Sequence, residues 1–200
     1  MKLLLLAASL LAPVEWLDAS VQHVVQEARR PALEAPARFL SDRLGTPAAV
    51  LGALLAVCVI EGPPGVETAR LAVLTLIPLN LTVEAVKRAT FRTRPDGERK
   101  RSNASFPSSH AANAIALAAL LSRRRRRLAP LFWTLAVAVA LSRIYLNRHW
   151  FSDVAAGAVW GLGCVWIVAA AWDGRRRRFR EVSSRSPAEG TFPTRERHDG

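Results

Sequence analysis

Two hundred residues carry a formal net charge of +12, yet half of them are apolar. A disordered polycation is not half apolar, so charge and apolar residues must be segregated along the chain, the pattern of a membrane protein with basic flanks. Nucleic-acid binding, the ordinary reading of so basic a chain, is excluded because the Arg clusters flank apolar runs and no nucleic-acid-binding motif occurs.

The N-terminal run, residues 1–12, places one Lys before a short apolar stretch. It reads either as a secretory signal or as a first membrane helix ended near Pro13. Residues 14–44 repeat apolar positions at helical spacing (Val14, Leu17, Val21, Val24, then Leu33, Ala37, Leu40, Leu44) with polar residues between. They predict two short amphipathic helices, lying on the membrane surface or packed on the rest of the protein.

Five apolar spans follow, at residues 47–60, 66–86, 111–121, 128–141 and 154–172, or six spans if residues 1–12 are retained. Each falls short of, or just reaches, the roughly 20 residues that cross a bilayer, and flanking Arg side chains can snorkel to make up the difference. Cys58 and Cys164 lie inside these runs and define neither a disulfide framework nor a zinc site. The expected fold is therefore all-α: a polytopic membrane helix bundle of five to six transmembrane helices with N-terminal amphipathic interfacial helices. Residues 1–172 form the membrane-embedded domain. Residues 173–200, rich in Arg, Ser, Pro and Gly, are expected to be a disordered basic tail.

Three polar boxes interrupt the apolar pattern. The first runs from Lys87 to Arg94-Pro95, the second is Ser105-Phe106-Pro107-Ser108-Ser109-His110, and the third runs from Ser142-Arg143 through His149 to Asp153. Lys87 ends one span and His110 precedes the next; Arg143 ends another and Asp153 opens the last. In an alternating bundle all four ends lie on one side, so the three boxes converge although up to 66 residues separate them.

Such a cluster suits an oxyanion, most simply a phosphate. Arg94 and Arg143 can grip oxygens with two N–H groups each, and Lys87 adds a point charge. Backbone N–H groups at the helix start beside Ser108 and Ser109 add donors. A neutral histidine next to the phosphate can attack phosphorus, and nearby cations keep it neutral. If a helix starts near Phe151, Asp153 can accept the Nδ1 proton of His149 and leave Nε2 free. His110 can protonate the leaving alkoxide and later activate water.

The sequence K-x6-RP, then PSSH, then SR-x5-H-x3-D resembles the three-box signature of the type-2 phosphatidic acid phosphatase superfamily, which also holds vanadium haloperoxidases and bacterial acid phosphatases. The resemblance implies that Lys87, Arg94 and Arg143 hold phosphate, with the Ser108 hydroxyl and the Ser109 backbone N–H. It implies that His149 forms a phosphohistidine, that His110 is general acid and then base, and that Asp153 orients His149. It implies no metal and no other cofactor. Ser109 stands where glycine is usual in the family, and its side chain takes more room beside the phosphate.

Arg88, Arg92 and Arg148 lie within the boxes but at none of their signature positions and read as solvated or headgroup-facing cations, and Asn147 as a turn residue. Trp150, Phe151, Trp160, Trp166 and Trp172 read as membrane contacts and interface anchors. The Arg runs 123–127 and 175–178 follow spans on the side opposite the boxes. The positive-inside rule places those runs in the cytoplasm and the boxes at the periplasmic or outer face, against further cations between Lys87 and Arg101 on the boxes' own side.

The expected function is hydrolysis of a lipid phosphate, whether phosphatidic acid, phosphatidylglycerophosphate or a polyprenyl phosphate or diphosphate. The expected partners are that substrate and membrane lipids. A phosphotransferase using the same phosphoenzyme, a vanadium-dependent haloperoxidase and a non-enzymatic binder of anionic lipid are the alternatives.

Overall fold

The computed structural model of the chain describes residues 2–98 and 104–185. Seven α-helices make up the described residues: α1 (Lys2–Glu27), α2 (Pro31–Phe39), α3 (Pro47–Glu61), α4 (Pro63–Thr90), α5 (Ser109–Arg124), α6 (Ala129–Tyr145) and α7 (Phe151–Arg185). A π-helical turn, Leu40–Leu44, continues α2, and a 3-10 turn, Arg126–Leu128, leads into α6.

The helix ends follow local chemistry. Thr46 caps α3 by accepting from the Ala49 N–H at 3.2 Å, with Pro47 in the first turn, where its missing N–H costs nothing. Gly62, at φ 61°, makes the sharp link into α4. Ser108 caps α5 through its side-chain oxygen. Asn147 adopts φ 60° in the turn between α6 and α7, a conformation Asn tolerates better than most residues.

Three helical stretches are long and apolar enough to cross a membrane: 63–90, 126–145 and 151–178. The segments 31–44 and 48–61 pass the same test together as a pair bent by 66°. The 16 residues of α5 extend roughly 24 Å, less than a hydrocarbon core. The bundle therefore holds the expected spans as helices, though α3 and α5 are too short to qualify alone. Large apolar side chains point outward, with Val59 85% and Trp166 74% exposed, while carboxylates, cations and a histidine are buried within. That inversion suits a bundle solvated by lipid.

Small residues bring the helices together. A Cβ on Gly157 would lie 2.4 Å from the Ser108 carbonyl oxygen, and one on Gly161 would lie 2.4 Å from that of Ala112. Gly157 and Gly161 are four apart on one face of α7, so α7 meets α5 backbone to backbone. Gly65 of α4 approaches the Val57 carbonyl of α3 in the same way. Around these contacts lies a core of Leu71, Ala72, Leu79, Val83, Ala112, Ala116 and Leu120.

Three expectations are revised. Pro13 does not end the first helix: α1 is continuous from Lys2 to Glu27, as a helix can be when neighbours compensate the lost hydrogen bond. Nor is α1 a helix lying apolar side down. Its inward face holds Asp18, Val21, Gln22 and Val25, and Val21 and Val25 pack beside Ala140, Ile144 and Val154. Trp16 and Val24 face outward. Of the two readings of this segment, packing on the protein is the one realised by α1. The expected tail also starts later than Asp173, because α7 runs on to Arg185. Asp173 and Arg176 are tied there by ion pairs to Arg123 and Glu67. Residues 186–200 of the expected tail lie outside the described residues.

At the end of the bundle where α3 meets α4, Glu61 binds both Arg124 (2.7 Å) and Arg125 (2.5 Å). The two Arg runs thus share one end, as span counting required.

Candidate active site

At the opposite end, the C-termini of α4 and α6 and the N-termini of α5 and α7 bring the three boxes together. Lys87, Arg94, Ser108, Arg143, His149 and Asp153 are all buried there, and Ser109 and His110 are partly buried. The 108–110 segment is tied directly to α7, since the Ser108 N–H donates to the Asp153 carbonyl at 3.0 Å. The turn that carries His149 is tied to α6, since the Arg148 and His149 N–H groups both donate to the Arg143 carbonyl, at 3.0 and 3.2 Å. Arg94 reaches the same turn, donating from Nη1 to the Arg148 carbonyl at 2.9 Å.

His149 is 1% exposed and Asp153 fully buried. Nδ1 of His149 lies 2.8 Å from the Ser105 carbonyl oxygen and 3.6 Å from Asp153 Oδ2. A carbonyl can only accept, so Nδ1 carries the proton and the free lone pair is that of Nε2. From the sequence Asp153 is expected to accept from Nδ1; the nearer acceptor is the Ser105 backbone carbonyl, with the Asp153 carboxylate just beyond it. Burial lowers the pKa of His149 to about 4, with the Arg143 and Arg94 cations adding to that and Asp153 opposing it. The imidazole is neutral at pH 7, chiefly through desolvation rather than through the cations.

Asp153 is held from three sides. Its Oδ1 accepts from Arg92 Nη1 at 2.6 Å, and its Oδ2 accepts from the Trp150 N–H at 2.9 Å and from the Ser105 hydroxyl. The Arg143 guanidinium donates from Nη1 to the Ser41 hydroxyl, with Asp42 Oδ1 4.0 Å away. Its Nε is buried with no hydrogen-bond partner among the described residues. A buried guanidinium with unspent donors is what an anion would complete.

The α2–α3 link closes over His110. A Cβ on Gly45 would lie 2.5 Å from the His110 ring carbon Cδ2, so only glycine lets the link approach.

Several residues here escaped the sequence reading. Arg92 is not a solvated cation; it spans Asp153 and Asp18 from a mostly buried position. Ser105, Ser41 and Asp18 hold no signature position and reach the site only through tertiary packing. The Gly157/Gly161 spacing was a readable signal for the close approach of α7 to α5. Arg88, by contrast, is an exposed partner of Glu84, as expected. Arg148 donates to Asp96 at 3.3 Å on the surface of the site. Asn147 sits in its turn and accepts from Gln22 of α1 at 2.6 Å. No group of His, Cys, Asp and Glu suited to a metal occurs among the described residues.

Comparison with known proteins agrees with the family resemblance. Residues 68–177 match the family model of the PAP2 superfamily. The lipid A 1-phosphatase of Porphyromonas gingivalis is 39% identical over 84 residues, covering 40% of this chain and 18% of that protein. The decaprenylphosphoryl-5-phosphoribose phosphatase of Mycobacterium tuberculosis is 39% identical over 98 residues, 46% of this chain and 54% of that one. The chain thus matches about half or less of the length of these relatives. Among solved structures, LpxE of Aquifex aeolicus superposes with a TM-score of 0.67 at 22% identity, over 76% of this chain and 94% of that one. The transmembrane PAP2 type phosphatidylglycerolphosphate phosphatase of Bacillus subtilis gives 0.68 at 22% identity, over 85% and 92%. The fold is therefore shared with membrane phosphatases.

Proposed function

The chain belongs to the PAP2 superfamily, and from that premise we propose that it is a lipid phosphate phosphatase working through a phosphohistidine on His149. The observation that carries the reading is the 2.8 Å contact between His149 Nδ1 and the Ser105 carbonyl, which keeps the proton on Nδ1 and leaves Nε2 as a neutral nucleophile beside Arg143 and Arg94.

In the proposed cycle the three cations, the Ser108 hydroxyl and the Ser109 N–H hold the phosphate oxygens. The Nε2 lone pair attacks phosphorus; the N–P bond forms as the P–O bond to the lipid breaks. His110 takes up a proton from the bound phosphate monoanion, gives it to the departing alkoxide and then takes one from water. That water attacks phosphorus, the N–P bond breaks, and inorganic phosphate leaves. The Asp153 carboxylate, 3.6 Å from Nδ1, stabilises the positive charge that the phosphorylated imidazole acquires. Phosphoryl transfer of this kind needs positioning and charge neutralisation more than covalent chemistry.

The site lies at the end of a lipid-facing bundle, which suits a phosphate head on an apolar tail. The relatives named above act on lipid A and on a decaprenyl-linked phosphate, and either class of lipid fits that description. The Arg-rich end, by the positive-inside rule, faces the cytoplasm, which puts the site at the opposite, periplasmic or exterior, face of the cell membrane.

The test is phosphate release by purified protein in detergent, with chelator present. Phosphatidic acid, phosphatidylglycerophosphate and a polyprenyl diphosphate are offered in parallel to wild type and His149→Ala. Release by wild type alone supports the reading and ranks the substrates. Transfer of phosphate to an added alcohol in place of water identifies a phosphotransferase on the same phosphoenzyme. Equal release by both proteins, or none from any lipid by folded protein, refutes the reading.

A further inference from the structure

Asp18 lies on α1, fifty residues before the segment that matches the family, and it is only 2% exposed. One carboxylate oxygen accepts from the Ser152 N–H at 2.7 Å. The other accepts from the Ser152 hydroxyl at 2.6 Å and from Arg92 Nη2 at 2.5 Å. Arg92 in turn gives Nη1 to Asp153 Oδ1 at 2.6 Å and to the Ser152 hydroxyl at 2.7 Å. A single guanidinium therefore bridges two buried carboxylates, one from α1 and one from the first turn of α7. Asp153 then faces His149 across 3.6 Å.

A buried carboxylate is costly unless fully paired, and Asp18 is fully paired only with these groups. Arg92 sits in the segment after α4, which has no regular structure of its own. Besides Asp153, its guanidinium meets the Ser152 hydroxyl, the Trp150 ring at 5.9 Å and Asp18, and of these only Asp18 is a second charged anchor. We infer that Asp18 is a positioning residue of the active site: through Arg92 and Ser152 it fixes the Asp153 carboxylate behind His149, so that α1 completes the catalytic end of the bundle. The assignment rests on the proposed role of His149.

The arrangement has an electrostatic consequence. Asp18, Arg92 and Asp153 together carry one net negative charge. Arg92 with Asp153 alone carries none. The extra charge favours the phosphorylated, positively charged imidazole over the neutral one. Asp18 thus acts on the step in which that charge appears, and not on lipid binding.

The test uses the full chain in detergent with phosphatidic acid as substrate, comparing wild type, Asp18→Asn, Arg92→Gln and the double variant. Asp18→Asn is expected to lower kcat by about ten- to a hundredfold, the usual range for a partner that holds a functional imidazole from behind, with KM within about twofold. In the Arg92→Gln background, Asp18→Asn is expected to cost much less than in wild type, because most of its effect passes through Arg92. A purely structural role for α1 gives the opposite: losses that multiply, or a fall in activity that only tracks the folded fraction. Either result, or a wild-type kcat for Asp18→Asn, overturns the inference. Should Asp18→Asn fail to fold, Asp18→Glu replaces it, keeping the charge but displacing the carboxylate, with the same expected kcat loss and the same overturning result.

A second readout separates this inference from the proposed function. Protein labelled with 15N-histidine, assigned with His149→Ala, is expected to show a protonated Nδ1 at His149 in wild type and an altered signal in Asp18→Asn. If wild type proves inert on every lipid offered, the function fails, and this signal alone decides for or against the positioning role. An unchanged His149 signal in Asp18→Asn then counts against it.

Discussion

His149 and Ser105 are joined by a hydrogen bond of 2.8 Å from the imidazole Nδ1 to a backbone carbonyl 44 residues away. A backbone acceptor cannot be removed by changing a side chain, and this separates two jobs that a carboxylate often combines. The carbonyl fixes the tautomer; the Asp153 carboxylate supplies the charge.

Asp153→Asn is therefore expected to keep the tautomer and lose the charge. Its kcat is expected to fall about a hundredfold, less than the roughly ten-thousandfold seen when loss of an aspartate also reverses the tautomer. His149→Ala removes the nucleophile outright. Rapid quenching with a 32P-labelled lipid phosphate distinguishes them: acid-labile label on the protein is expected in wild type, slowly in Asp153→Asn and not at all in His149→Ala. Equal labelling of all three contradicts the assignment.

The depressed basicity of His149 gives a pH prediction. Its pKa of about 4 in the folded protein stands against an ordinary 6.5. The folded state resists protonation there, so the unfolded state binds more protons between these values and stability rises with pH across that window. The contribution is complete above about pH 6.5 and is lost as pH falls toward 4. A 15N titration of the His149 ring is expected to show a midpoint near 4, and a midpoint near 6.5 contradicts the burial argument. The thermal midpoint in detergent is expected to drop between pH 6.5 and 4 by less in His149→Gln than in wild type.

Arg143 offers a separate test of anion binding. Its Nη1 is occupied by the Ser41 hydroxyl, while its Nε is buried with no hydrogen-bond partner among the described residues. Arg143→Lys keeps the charge but loses the fork that can meet two oxygens at once. Inhibition by orthovanadate, a phosphate mimic, is expected to weaken by about ten- to a hundredfold, as for loss of a charge-assisted hydrogen bond worth roughly 1.5–3 kcal/mol. Arg88→Ala, an exposed i,i+4 partner of Glu84, is expected to leave inhibition unchanged. Equal effects of the two substitutions exclude Arg143 from the anion site.

Much of this was legible in the sequence because membrane helices impose a strong pattern. The apolar runs located α3 to α6 and the start of α7 within about four residues, and alternation of those runs put Lys87, His110, Arg143 and Asp153 at one end. What the pattern could not carry was the role of polar residues without a motif. Asp18 and Gln22 read as the solvent face of an amphipathic helix, yet in a lipid-solvated bundle the polar face turns inward. Arg92 sits two residues before Arg94 and looked like one more flanking cation; only the approach of α1 gives it two carboxylates to bridge. The Ser105 carbonyl is backbone, and no side-chain pattern can announce it.

The last prediction concerns the packing that sets the site's geometry. Gly157 and Gly163 lie on the same helix, but a Cβ at 157 would sit 2.4 Å from the Ser108 carbonyl while one at 163 meets nothing within 4 Å. Alanine is the better helix former by about 1 kcal/mol, so Gly163→Ala is expected to be neutral or slightly stabilising. At Gly157 the same gain opposes an overpacking cost of about 1–3 kcal/mol, because the obstructing atom is backbone and cannot rotate away. Gly157→Ala is therefore expected to lower the thermal midpoint in detergent. It is also expected to lower kcat, because the displaced group is Ser108, whose N–H is bonded to the Asp153 carbonyl at 3.0 Å. A Gly157→Ala protein as stable and as active as Gly163→Ala would mean that α5 and α7 lie further apart than described, and that the serine box is not held by this contact.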